Sequence, residues 1–251
     1  MLTGPLGAAV FAGLAALSLV IGGAIAIRFK PARRLVGLVL GFGAGTLISS
    51  VAYELVPKES LEVLGVGIAL GLGAVVYFLG DRLVSGSGGE HHTDPDAGAE
   101  ASSTSEGSSG AGKAIVLGTI LDGVPESLVL GIGMAVGGAV SVAFLAAVFL
   151  SNLPEAIFAT VSLKAAGRSS SSIIGMWFGI AALSAAAGAI GFVVASAIGA
   201  SGVYIQAFAA GALLTMIVST MAPESVETGG KAAGLATILG FAVAATLTAL
   251  E

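Results

Sequence analysis

The stretch Leu6–Ile27, LGAAVFAGLAALSLVIGGAIAI, holds no charged residue over the length that crosses a bilayer, about 20 residues. Its apolar run is longer than the core of a typical signal peptide, and its basic residues follow it rather than precede it, so it is expected to be a retained membrane span. Similar runs follow it. They predict further spans at Leu35–Val56, Val63–Gly80, Ile115–Val136, Val142–Leu163, Ile173–Ile198, Val203–Met221 and Ala232–Leu250. The expected fold is therefore an all-α integral membrane protein with eight transmembrane helices.

Composition agrees. Of the 251 residues, 56% are hydrophobic and 10% charged, against about 25% charged in a soluble domain. The mean hydropathy is +1.02. The 39 glycines lie mostly inside the apolar runs, beside alanine and serine. Small residues let membrane helices approach closely, which points to a compact bundle. The absence of cysteine excludes disulfides, iron–sulfur clusters and thiolate zinc sites. No basic helix or aromatic-interleaved basic patch supports nucleic-acid binding. The expected partners are membrane lipids and divalent metal ions; a homodimer is compatible with the sequence.

Charge placement gives the orientation. Arg28, Lys30, Arg33 and Arg34 separate the first two spans, and Arg82 and Lys113 flank the loop after the third. Lys164 and Arg168 follow the fifth span, and Lys231 precedes the eighth. With eight alternating spans, nine of the ten basic residues share one side and Lys58 alone takes the other. The positive-inside rule then puts both termini outside a cell membrane. Asp81–Lys113, rich in Gly, Ser, Ala, Asp and Glu, has too little apolar area to fold and is expected to be a disordered cytoplasmic loop.

The chain also carries an internal echo. Phe42-Gly-Ala-Gly-Thr-Leu47 followed by Pro57 matches Phe208-Ala-Ala-Gly-Ala-Leu213 followed by Pro223, at an offset of 166. The same shift carries span one onto six and three onto eight. An odd number of spans separates the copies, so the repeat is expected to be inverted, as in many secondary transporters. The organisation predicted is three-plus-two-plus-three: 1–80 as the first repeat, 81–113 as the loop, 114–163 as a central pair, and 164–251 as the inverted repeat.

The central pair holds the chemistry. Span four contains Asp122-Gly-Val-Pro125-Glu126, and span five Ser151-Asn152-Leu-Pro154-Glu155. A charge at the bilayer centre costs about 2.5–3.5 kcal/mol on insertion scales. No Lys, Arg or His lies at comparable depth, which leaves protons, water or a bound cation as compensators. Asp122 and Glu126 are i and i+4, as are Ser151 and Glu155, so each pair shares a helix face. Each proline removes a backbone hydrogen bond and releases the carbonyl of Leu121 or Leu150. An all-oxygen donor set suits hard divalent ions. The competing structural account makes these motifs kinks whose protonated carboxyls bond to Ser or Thr. His91 and His92 are either loose metal contacts or solvated loop. Glu54 either lines an entrance or sits at the interface. Glu59, Glu62, Glu224 and Glu227, near span ends, are expected to be solvated.

These features together resemble the ZIP family of divalent-metal transporters over nearly the whole chain. The specific likeness is the Pro-Glu motif in spans four and five. In that family span four reads His-Asn-x-Pro-Glu-Gly, and span five carries a His- or Gln-led segment ending in Pro-Glu-Gly. The resemblance implies metal ligands at Asp122, Glu126, Ser151, Asn152 and Glu155. It also implies eight spans, outside termini, a histidine-bearing loop after span three and an inverted repeat. Departures are specific. Asp122 stands for the span-four histidine, and the span-four asparagine falls on Gly123. Ser127 and Ala156 replace the glycines after Pro-Glu. The positions where many members of that family place acidic residues in spans six and seven fall here near Ser184 and on Ser219-Thr220. The residues support one metal position made of carboxylates and neutral oxygens. Carboxylate for imidazole shifts preference from zinc toward manganese, iron(II) or magnesium, whereas the resemblance implies zinc.

The function expected is a secondary carrier of divalent cations into the cytoplasm by alternating access, with no organic cofactor and no enzymatic activity. No G-x-x-x-x-G-K-[ST] motif offers ATP coupling. An intramembrane hydrolase lacks a nucleophile, an H-E-x-x-H motif and a Gly-x-Gly-Asp motif. A metal sensor or structural subunit without transport is the alternative that the lost ligands favour.

The topology has a direct test. With no native cysteine, Ser103→Cys provides a single label site in the 81–113 segment. A membrane-impermeant thiol reagent applied to intact cells leaves it unlabelled if that segment is cytoplasmic; labelling reverses the assignment.

Overall fold

A computed structural model of the chain describes residues 3–29, 31–56, 64–85, 107–137, 141–198 and 202–250, without the side chains at 84–85, 107–115, 121–122 and 202. Eight helices in it are long and apolar enough to cross a membrane. They contain α1 (Gly4–Phe29), α2 (Arg33–Ser50), α3 (Leu64–Ser85), α4 (Gly107–Gly137), α5 (Val142–Ala165), α6 (Ser170–Ile198), α7 (Gly202–Met216) and α8 (Ala232–Leu250), the second span running on to Leu55 and the seventh to Gly229. No strand occurs among the described residues. The chain is a multi-pass membrane protein.

Two helices change pitch near a proline. In α2 the π turn Val51–Leu55 precedes Pro57, and Val56 N bonds to Val51 O. In α7 the π turn Ile217–Met221 precedes Pro223, and Ala222 N bonds to Ile217 O. A proline cannot donate, and its ring crowds the carbonyl four residues back. Widening the preceding turn moves that carbonyl aside. As a result α7 continues through Ala222–Gly229 rather than ending at Met221, as the sequence had predicted. The two π turns are 166 residues apart.

Helix ends also differ from expectation around the 81–113 segment. α3 runs on to Ser85 and α4 begins at Gly107, so both flanks are helical. Each added residue gains one hydrogen bond once a helix is nucleated, and Arg82 suits the last turn of α3. Residues 86–106, with His91 and His92, lie outside the described residues.

Polarity is distributed as a bilayer requires. Large apolar side chains face outward on α3 (Leu72, Phe78, Leu83) and on α8 (Leu235, Ile238, Leu250). The inward side holds polar groups: Thr46, Ser49, Ser50, Glu126, Ser151 and Asn152 are all buried. Buried hydroxyls largely bond back to their own helix, as Ser18 does to Ala15 O, Thr46 to Gly43 O and Ser127 to Gly123 O.

Enclosure varies among the helices. Only 17% of the apolar window of α3 and of α8 is buried, against 50% for α4, 56% for α5 and 67% for α2. α4 and α5 are thus more enclosed than α3 and α8, α7 matches α4 at 50%, and α2 is more enclosed still. Its glycines explain this. Gly37, Gly41 and Gly45 recur every fourth residue and meet backbone of Gly229, Ala233 and Thr237, while Gly43 meets α5. Counterparts appear on the other side, where Gly211 of α7 meets Leu70 O of α3, just as Gly45 meets Thr237 O of α8. Gly73 of α3 meets Phe208 O, and Gly240 of α8 meets Phe42 O. Leu70 and Thr237 are 167 apart, not the 166 expected for spans three and eight.

These contacts give a stability prediction. A Cβ on Gly45 or Gly211 would collide with a backbone carbonyl, whereas Gly67 and Gly71 have nothing within 4 Å. Gly45→Ala and Gly211→Ala are each expected to destabilise by about 1–3 kcal/mol through overpacking. Gly67→Ala and Gly71→Ala are expected to leave thermal unfolding of the purified protein in detergent unchanged or slightly raised.

Candidate metal centre

The site is assembled where α4 and α5 meet. Both keep helical form through their internal prolines, Pro125 and Pro154. Glu126 is 2% exposed, Ser151 1% and Asn152 3%. The Ser151 hydroxyl reaches Glu126 Oε1 at 3.3 Å and donates to Val148 O at 3.0 Å. One proton serves two acceptors, so the interhelical contact is the longer. The Asn152 side-chain oxygen is buried without a hydrogen-bond partner among the described residues. An unbonded amide oxygen in a dry interior is costly, about 1–3 kcal/mol, and can be met by a cation or a water.

Apolar packing bounds this polar level. Toward one end of the bundle Val129 and Leu130 of α4 join Phe144, Ala147 and Val148 of α5 in a core with α2 and α7. Toward the other, Ala156, Ala159 and Leu163 of α5 pack on Ala16, Leu19, Ile173 and Trp177. The Trp177 indole, against Gly23, donates to Thr160 Oγ1 at 2.9 Å. A charge between two such layers has little water to screen it, which strengthens its interaction with a bound cation.

The expected ligands are only partly gathered. Glu126 and Ser151 meet, and Asn152 adjoins Ser151 in sequence. Glu155 follows one turn along the Ser151 face of α5 and is half-buried. Asp122 lies in α4 one turn before Glu126, but its side chain is outside the described residues. Among the described residues no three of His, Cys, Asp and Glu cluster tightly enough to hold a metal ion.

The neighbours refine the chemistry. Leu150 O, released by Pro154, lies 3.3 Å from where a Gly43 Cβ would stand, so it faces α2. Gly43 would also bring its Cβ within 2.8 Å of Ser151 Cα. Sequence reasoning took the Phe42-Gly-Ala-Gly motif as a repeat marker and missed it as a wall of the site. The glycines at alternate positions were the available signal. Ser184 Oγ lies 3.8 Å from a Cβ built on Gly123, so α6 presents a neutral hydroxyl beside α4. Ser219 is exposed, within the π turn of α7.

Glu54 stands apart. It is eleven residues beyond Gly43 along α2, roughly 16 Å by helical rise, and its Oε1 accepts a hydrogen bond from Thr248 of α8 at 3.0 Å. Tyr53 packs on Phe241 nearby. These contacts tie the end of α2 to α8. The arrangement as a whole offers carboxylate, hydroxyl and amide oxygens in a low-dielectric layer, the donor set of a hard cation site. No protein-family model matches this chain, and no curated protein matches it.

Proposed function

We propose that the protein is a secondary transporter that moves a divalent metal cation across the cell membrane by alternating access. Glu126, Ser151, Asn152 and Glu155, joined by Asp122, form its mid-membrane site. The observation that carries this reading is the buried contact between Glu126 and Ser151, with the unbonded Asn152 oxygen beside it, at the centre of an eight-helix bundle. The substrate class is an oxygen-seeking divalent ion: manganese, iron(II) or zinc. Both termini face outward in this reading, and transport is into the cytoplasm.

An inverted repeat gives the machine its two states. Support comes from three correspondences: the π turns of α2 and α7 at an offset of 166, the Gly45–Thr237 and Gly211–Leu70 contacts, and the Gly240–Phe42 and Gly73–Phe208 contacts. In inverted-repeat carriers the substrate site lies near the midplane between the halves, and one set of helices rocks against the other.

A second reading has its own observation. Ser184, a neutral hydroxyl, stands beside α4 at Gly123, where the resemblance would place an acidic residue of span six. A protein that binds an ion and changes shape without passing it on fits that substitution. Uptake of radioactive divalent ions into proteoliposomes separates the two, since only a carrier accumulates label above empty liposomes.

Binding itself is tested by calorimetry on purified protein. Glu126→Gln and Glu155→Gln keep shape and remove charge, so each is expected to weaken binding at least about tenfold, the loss already seen when only an outer partner of a ligand is removed. Protons compete for the same oxygens, so binding releases protons and weakens as pH falls. Asp122→His is expected to move selectivity toward zinc. Unchanged affinity in both Gln variants for every metal tested excludes these carboxylates as ligands.

A further inference from the structure

Basic residues from two helices meet at one corner of the bundle. Gly37 of α2 packs so closely on Thr228 and Gly229 that a Cβ there would collide with both. Arg33 and Arg34 precede Gly37 by four and three residues, so they sit one turn before it on the same side of α2. Gly230, at φ 70, turns the chain after Gly229, and Lys231 follows at the start of α8. Arg34 is about 5 Å of helical rise from Gly37, and Lys231 at most about 7 Å of chain from Gly229. Three long cationic side chains are therefore close enough to share one anion.

Arg33, Arg34 and Lys231 are all exposed, and among the described residues none of their side chains has an ion pair or a hydrogen bond. Lys164, at the end of α5, instead donates to Ser170 Oγ at 3.2 Å. Exposed Glu227, two residues before Gly229, offsets at most one of the three charges, so the corner keeps a positive surplus. The adjoining surface says which anion fits. Lys231, Gly234, Leu235 and Ile238 stand at i, i+3, i+4 and i+7 and share one face of α8. All four are exposed, Leu235 at 76% and Ile238 at 67%, and the space over Gly234 is open. A free phosphate or an acidic peptide has no use for that apolar stripe. A phospholipid matches both parts, its anionic headgroup meeting the cations and its acyl chain the leucine and isoleucine.

We propose that Arg33, Arg34 and Lys231 hold the headgroup of an anionic phospholipid whose acyl chain lies along the Gly234–Ile238 face of α8. Such a lipid bridges α2 and α8 at the end where Gly37 and Gly41 pack α2 against Gly229 and Ala233. It binds the folded bundle and not the unfolded chain, so it stabilises the fold by mass action. The site stands whatever ion the protein carries.

Protein purified in a neutral detergent is titrated with phosphatidylglycerol, phosphatidylcholine or inorganic phosphate, and the melting temperature is followed. Phosphatidylglycerol is expected to raise it; the other two are not. Arg33→Gln, Arg34→Gln and Lys231→Gln combined are expected to weaken the apparent phosphatidylglycerol affinity at least about tenfold, since each cation near an anionic headgroup adds to binding. Lys164→Gln with Arg168→Gln is expected to leave it unchanged. Leu235→Gln, which spoils only the apolar stripe, is expected to weaken it as well. An equal response to phosphatidylcholine, or an undiminished response in the triple variant, overturns the proposal. A response to phosphate as large as that to lipid makes the corner a soluble-anion site and overturns it too. All three cations are exposed, so the triple variant is expected to fold. If it does not, Lys231→Gln and Lys231→Arg decide: the first is expected to weaken the lipid response and the second to keep it, and equal responses overturn the proposal.

Discussion

Inside a hydrocarbon layer no water stands ready to bond a polar group, and this constraint organises the whole molecule. Backbone groups meet it by forming helices. Ser18, Thr46, Ser127, Thr215 and Thr237 meet it by donating to carbonyls of their own helices. Trp177 meets it through Thr160. Among the described residues, the buried oxygens left without a hydrogen-bond partner include those of Asn152, Ser49 and Ser50. They occupy the two most enclosed helices, α5 and α2, which places the chemistry where lipid does not reach.

Glycine is the means by which these helices come so close. Without a hydrophobic drive between helices in lipid, association depends on contact and on backbone approach. Gly45 against Thr237 O and Gly211 against Leu70 O hold the outer helices α8 and α3 onto α2 and α7. Gly22 and Gly43 grip α5 from α1 and α2 around Leu153 and Ser151. The same absence of side chains that tightens the bundle therefore shapes the walls of the polar level. Fold and site are not separate layers of the sequence here.

The fold was legible because a bilayer imposes a length: uncharged runs such as Leu6–Ile27 can be read directly as spans. Ends were less legible. Span seven was expected to end at Met221, but a π turn precedes Pro223 and the helix continues to Gly229. The Asp81–Lys113 segment was read by composition, which does not register how far α3 and α4 extend into it. At the site, Glu126 and Ser151 stood out because charge and polarity are rare at that depth. The role of Gly43 and the unbonded state of Ser50 were not legible. Both depend on which neighbour faces a given side of α2, and periodicity alone does not specify neighbours.

The unequal lengths of the outer helices have a consequence for the membrane itself. α8 has 19 residues and α6 has 29, about 28 Å and about 43 Å at helical rise. A hydrocarbon layer of about 30 Å matches the first and forces the second to tilt or protrude. α8 is also among the helices most open to lipid, and it is held to α2 chiefly through backbone at Gly41 and Gly45. A thicker bilayer therefore pulls on α8 before the rest, and that strain passes to α2, the helix that carries Gly43. The thickness of the host membrane thus becomes a mechanical input to the interior of the protein.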